Sequence, residues 1–158
     1  LVIVPSPTSL FFPSPTPTLA PTTTQIRIPT IPHYSPLAST SGSLSSNRLF
    51  EMINDYRKSL KLPAFEKNEY LCKVADERRP ELPNEIYGTG YIHQGLYDRK
   101  LPYWITENMA YYDTEDQIFS FWLRSSLHRH AIEGTYKYSC GACEGTICVE
   151  LFTSFVSK

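Results

Sequence analysis

The sequence predicts an α+β domain, with helices packed on a small antiparallel sheet, behind a disordered stalk. Three observations point there. Helical spacing of apolar residues runs from residue 47 to about residue 132. Strand-like alternation takes over after Tyr136, and helices first with strands last is the α+β order. The first 46 residues, finally, share neither pattern.

That leading stretch holds nine of the thirteen prolines, all between Pro5 and Pro36, and Arg27 is its only charged side chain. Repeated proline fixes φ and removes amide donors, so no helix propagates and no central strand forms. Serine and threonine fill the gaps, as in Pro13-Ser14-Pro15-Thr16-Pro17-Thr18. Too little apolar surface remains to offset the entropy of ordering the chain. Residues 1–46 therefore read as a polyproline-II-like stalk of the type that carries O-glycans in secreted proteins. Leu1-Val2-Ile3-Val4 reads either as the tail of a signal peptide or membrane anchor, or as an apolar scrap of the arm. No other stretch approaches the roughly 20 apolar residues of a membrane span, so the domain at 47–158 is expected to be soluble.

With Arg27 set aside, 14 Lys and Arg face 16 Asp and Glu in residues 47–158. No basic face stands out, which argues against nucleic acid as a partner. Eleven tyrosines, eight phenylalanines and two tryptophans help a small chain to build a core.

The elements follow in order. Ser46 or Asn47 caps a first helix with Leu49, Ile53, Tyr56 and Leu60 on one face, ended by Pro63. A second helix runs from about Asn68 to Arg79, with Leu71, Val74 and Ala75 inward, and stops at Pro80. Residues 83–104, rich in Gly, Tyr and Pro, read as a long structured loop of the kind that carries function. Thr114 and Gln117 are spaced as a capping box for a third helix bearing Ile118, Phe121, Trp122 and Ser125. A short helical turn follows over His128–Ile132. Two antiparallel strands joined near Gly141–Gly145 close the chain. In the second, Ile147, Val149, Leu151 and Phe155 alternate with Cys148, Glu150, Phe152 and Ser154.

Four cysteines, Cys72, Cys140, Cys143 and Cys148, allow three disulfide pairings. Cys143 and Cys148 flank a hairpin tip at Glu144-Gly145-Thr146, which favours that pair and leaves Cys72 with Cys140. A four-cysteine zinc site competes through the Cys140-Gly141-Ala142-Cys143 spacing, but it lacks a second close pair.

The candidate chemistry lies in His93, Glu107 and His128, with Ser125, Ser126 and Arg129 nearby in sequence. A lone histidine is most often structural. A glutamate among apolar neighbours needs a partner, for which Arg129 or a backbone amide would serve.

Together these segments resemble the CAP superfamily (the cysteine-rich secretory, antigen 5 and pathogenesis-related 1, or SCP, domain) in its short bacterial-type form. The resemblance rests on the opening helix from Asn47 to Arg57 with Leu62-Pro63, on His93, on Glu107-Asn108-Met109-Ala110, and on Phe121-Trp122-Leu123-Arg124-Ser125-Ser126-Leu127-His128-Arg129. It covers residues 47–158 and implies a three-layer α-β-α sandwich with a cleft lined by histidines and acidic residues. In some members that cleft binds zinc or another divalent cation. His93 and Glu107 take the places of the first cleft His and Glu, and His128 is the histidine of the short form. Ser125 stands where longer members have a second acidic residue. Their second cleft histidine has only Glu150 as a loose counterpart.

Two functions follow from the resemblance. One is a non-catalytic extracellular or cell-surface binding module, a monomer, for a lipid, sterol, peptide or cell-envelope component. The other is a metal-assisted, peptidase-like hydrolase using His93, Glu107 and His128. Ser-His hydrolysis is a weaker variant, because triads assemble in space and not in sequence. A third reading makes the polar residues a buried network that fixes the long loop.

Overall fold

The structure, a computed structural model, describes residues 43–88 and 91–158. The stalk reading falls largely outside the described residues. Its last residues, Ser43–Ser46, do not: Leu44 packs against the core, and the Ser45 amide donates to Glu115 at 2.8 Å.

Helix α1 spans Ser46–Ser59, and its cap is Ser45, whose hydroxyl accepts from the Arg48 amide at 3.3 Å. The sequence reading placed the cap one or two residues later, among equally competent cap residues. Its apolar stripe, Leu49, Met52, Ile53 and Tyr56, is buried. Arg57, on the same side, is buried too. Its guanidinium lies 3.7 Å over Phe65 and donates to the Pro63, Ile132 and Gly134 carbonyls, which ties the end of α1 to the turn after it and to the end of α6 (Ser126–Glu133).

Helix α2, Glu69–Arg78, is capped by the Asn68 side chain. It ends just before Pro80, as expected, but the helical path continues. A 3₁₀ turn, Arg79–Glu81, leads directly into α3, Leu82–Tyr87. Pro80 and Pro83 sit in first-turn positions, where the missing N–H costs no hydrogen bond. A further short helix, α4 (Gln94–Asp98), follows, so the expected loop carries two short helical segments.

The sheet has three antiparallel strands in the order β1-β3-β2, with β1 at Tyr103–Tyr111, β2 at Tyr138–Glu144 and β3 at Ile147–Ser157. The sequence reading missed β1, because Glu107 and Asn108 interrupt its alternation with polar residues that turn out to be buried. Helix α5, Glu115–Arg124, starts with the expected Thr114–Gln117 capping box. Its buried stripe is Ile118, Phe119, Trp122 and Leu123, with Phe121 at the margin.

Central strand β3 is covered on both sides, which makes the fold a three-layer α+β sandwich. Cys148 and Phe152 pack with α1, α5 and α6, whereas Ile147, Val149 and Leu151 pack with α2, Leu82 and Leu96. Two disulfides brace it, in the favoured pairing. Cys143–Cys148 crosses the β2–β3 hairpin between paired residues, and Cys72–Cys140 ties α2 to β2 across 68 residues of chain. Closing a loop of that length is worth about 4 kcal/mol in the chain-entropy account. Among the described residues no helix is long and apolar enough to cross a membrane.

One carboxyl inside the sandwich stands apart. Glu150 is wholly buried, its Oε1 takes the Ser139 hydroxyl, and its Oε2 has no partner. A Cβ at Gly141 would sit 2.2 Å from Oε2, so a glycine is required beside it. Burial pushes the Glu150 pKa from 4.5 up to about 8. A raised folded-state pKa means that the folded chain holds a proton which the unfolded chain releases. That stabilisation is complete below about pH 4.5 and lost as the pH rises through 8, by up to about 1.4 kcal/mol per pH unit. Denaturant unfolding between pH 5 and 8 should show this slope in the wild type and a flatter one in Glu150→Gln.

Candidate functional site

The site is built around Arg78, the last residue of α2, which has no exposed surface. Its guanidinium meets three carboxylates. Nε and Nη2 fork onto Glu107 of β1 at 2.8 and 3.1 Å; Nη1 and Nη2 fork onto Glu85 of α3, the Nη2 arm at 2.8 Å; and Nη1 also reaches Glu81. Glu81 in turn accepts a fork from Arg99, with both contacts at 2.9 Å. Burial works against the Arg78 charge, but the hydrogen bonds to Glu85 and Glu107 outweigh it and hold its pKa above the ordinary value. Burial also opposes ionisation of Glu81 and Glu85, and again the arginine contacts win, so both pKa values are lowered.

Glu85 has a second task. Its carboxylate accepts the backbone N–H of His93 at 2.7 Å and of Gly95 at 2.9 Å. This holds His93 in the left-handed region at φ 70°, directly before α4. The space beside Gly95 is filled by the network: a Cβ there would lie 2.1 Å from Glu81 Oε2 and 2.2 Å from Arg78 Nη1. With its backbone fixed, His93 places Nδ1 2.6 Å from Glu107 Oε2.

β1 is an edge strand, and Glu107 and Asn108 point to opposite faces of it. Glu107 turns toward α2 and His93. Asn108 turns toward α6 and donates to the His128 carbonyl at 2.9 Å. The two histidines therefore flank one strand from its two sides. His128 Nδ1 is buried without a hydrogen-bond partner, and its ring lies 5.3 Å from Phe121. Burial, and then the charge of His93, lower the His128 pKa from 6.5. From Phe121 a run of rings continues through Tyr112 and Tyr111 to Tyr87 of α3, with centroids 5.6, 6.0 and 5.8 Å apart. Tyr87, Tyr111 and Leu127 are exposed.

The expected partner of Glu107 is corrected here. Arg129 lies 3.9 Å from Glu133, one turn along α6, while Glu107 is held by Arg78 and His93. Ser125 joins α5 to α6 with no side-chain capping bond, Trp122 is core, and Trp104 is exposed beneath the Lys158 ammonium. Glu150 faces the Ser139 side of the sheet and joins neither histidine. As for a metal, the set His93, Glu107 and His128 does not fit a three-ligand centre. Both Glu107 oxygens are forked by Arg78, and Oε2 also meets His93 Nδ1, so the carboxylate that such a centre needs is already committed to a guanidinium. Among the described residues no group of three or more His, Cys, Asp or Glu side chains is placed to hold an ion.

Sequence reasoning missed Arg78, Glu81, Glu85 and Arg99. Arg78, Glu81 and Glu85 are spaced i, i+3, i+7, as on one helix face, but Pro80 reads as the end of the helix and residues 83–104 as a loop, which hid the pattern.

No protein-family model and no curated protein matches the sequence. Solved structures do match the fold. A cysteine-rich secretory protein from Staphylococcus aureus superposes with TM-score 0.57 at 20% identity, over 68% of this chain and 37% of its own. An outer surface protein from Borrelia burgdorferi gives 0.56 at 24% identity, over 70% of this chain and 92% of its own. An extracellular SCP-domain protein from Bacillus anthracis gives 0.54 at 18% identity, over 68% and 39%. The fold is thus that of the SCP domain. The chain spans little more than a third of the staphylococcal and Bacillus proteins and nearly all of the Borrelia one.

Two outcomes are expected. Arg78→Met leaves three carboxylates without their cation and should lower unfolding free energy by about 3–5 kcal/mol, read by urea denaturation. His93→Ala removes the neighbouring charge and should raise the His128 pKa in an NMR titration. Because the folded-state pKa of His128 is depressed, its contribution to stability is present above about pH 6.5 and lost as the pH falls below it.

Proposed function

We propose that the chain is an extracellular, non-catalytic binding module, monomeric, whose recognition surface is the His93–His128 edge of β1 with its run of exposed aromatic rings. The observation that carries this reading is the engagement and burial of Glu107. A carboxylate forked by Arg78, bonded to His93 Nδ1 and almost wholly shielded from solvent orients the imidazole, as a supporting group does, and is poorly placed to meet water or substrate. All four cysteines are in disulfides, so no thiol nucleophile is present. Exposed Tyr87, Tyr111 and Leu127 supply amphipathic contact area of the kind that recognition surfaces use.

The location is part of the proposal. Two disulfides suit an oxidising compartment. The proteins of like fold from Borrelia and Bacillus are described as an outer surface protein and an extracellular protein. The Pro/Ser/Thr-rich residues 1–42 would then act as a spacer from the cell envelope. The ligand classes open to such a surface are a lipid, a sterol, a peptide or an envelope component.

Zinc titration by calorimetry on the full chain, beside His93→Ala and His128→Ala, tests the reading. The expected result is no one-equivalent site. Saturable binding near one equivalent that vanishes in both variants would overturn it in favour of the metal-assisted hydrolase. In parallel, tyrosine fluorescence should respond saturably to at least one of sterol-containing vesicles or an apolar peptide, and Tyr87→Ala and Tyr111→Ala should weaken that response.

A further inference from the structure

Beside α3 and α4 lies an open groove of about 740 Å³, within the usual size of small-ligand sites. It is walled by the 3₁₀ turn, α3 and α4, and its lining is mixed: the polar ends of Glu81, Asn84, Gln94, Asp98 and Arg99 sit among at least as much apolar surface, with Tyr91 on one wall. The domain's binding role does not require this groove, and neither histidine lines it. We infer that it is a saccharide site, taking a neutral or amino sugar within an oligosaccharide.

Three features carry the assignment. First, several of the polar side chains are already bonded to one another before any ligand arrives. Arg99 forks onto Glu81, Gln94 Nε2 donates to Asp98 Oδ1 at 2.6 Å, and Glu85, beneath them, anchors the start of α4 through two backbone amides. Preorganised planar groups lose little entropy on binding and can meet hydroxyls that both donate and accept. The Asn84 amide, the second Asp98 oxygen and the Gln94 carbonyl give that mixture in one groove.

Second, Tyr91 is 69% exposed in the wall of this mixed groove. A ring with an apolar face and a polar hydroxyl matches a pyranose, which has an apolar face and a polar rim. A lipid tail would gain little from such a lining, since the polar groups would lose water without replacement.

Third, the charge selects among sugars. Glu81, Glu85 and, behind them, Glu107 share Arg78 and Arg99, while Asp98 is bonded only to the neutral Gln94 amide, so carboxylates outnumber guanidinium groups around the groove. Sulfated or uronic sugars are disfavoured, whereas a neutral ring is accepted and an ammonium at one ring position is favoured. This assignment is independent of the proposed function: it requires that the groove bind a sugar, whether or not the domain turns one over.

The test is calorimetry and saturation-transfer NMR on the full chain with tetramers of N-acetylglucosamine, glucosamine and glucose, and with a heparin tetrasaccharide. Saturable binding of at least one of the first three, and none of heparin, is expected. Tyr91→Ala and Gln94→Leu lie on the surface and should keep the melting temperature while weakening binding by about tenfold, the loss of roughly one good contact. Asp98→Asn should reduce the advantage of glucosamine over glucose, and His128→Ala, outside the groove lining, should leave saccharide binding in the groove unchanged. No saccharide binding, heparin binding alone, or binding lost in His128→Ala but kept in Tyr91→Ala would each overturn the assignment. So would saturation of the groove by calcium alone with no response to sugar. Cleavage of a bound tetramer would sink the non-catalytic reading and leave the groove assignment standing.

Discussion

The buried guanidinium of Arg78 is the constraint on which the site depends. A cation with no exposed surface is tolerable only if its donors are met in good geometry, and Arg78 meets three carboxylates from three elements. The fork geometry of arginine allows this and an ammonium would not. Each carboxylate then passes the constraint outward. Glu81 fixes Arg99, Glu85 fixes the backbone at His93 and Gly95, and Glu107 fixes the His93 ring. One residue at the end of α2 thereby sets the position of α3, α4, β1 and the histidine. Such a network is a poor source of net stability and a good source of a single arrangement.

The sheet explains why the network can exist. Central strand β3 is covered on both faces, so apolar burial comes from the two clusters on either side of it and does not rely on the polar edge. The disulfide from Cys72 to Cys140 pins α2 against β2, and thus fixes the helix whose last residue is Arg78. Edge strand β1 is left to carry Glu107 and Asn108, two buried polar side chains that would be costly in a central strand without these partners.

What was legible in the sequence was whatever depended on local patterns. The α5 capping box, the apolar stripes of α1 and α2, the alternation of β3 and the hairpin disulfide are all set by residues close together in the chain. β1 was not legible, because its polar residues are satisfied by partners 29 and 14 positions away and by α6. The same distance hid the partner of Glu107: Arg129 is near in the motif, but Arg78 is near in space. Two prolines did the rest, since in a one-dimensional reading Pro80 ends a helix and Pro83 opens a loop, yet both occupy first turns in the folded chain.

The two histidines differ in kind, and this bears on what the edge can do. The Nδ1 of His93 is fixed by a carboxylate that is itself fixed, and its ring is partly exposed beside Tyr97. The Nδ1 of His128 is buried against Phe121 with no partner, and protonation there is opposed by burial and by His93. A general acid–base pair needs one group ready to give a proton and another ready to take it, with a reacting atom between them. Here one imidazole is held by an ion network and the other is held neutral by its surroundings. Such a pair presents a fixed, mixed polar and aromatic face, which suits selecting a ligand better than transforming one.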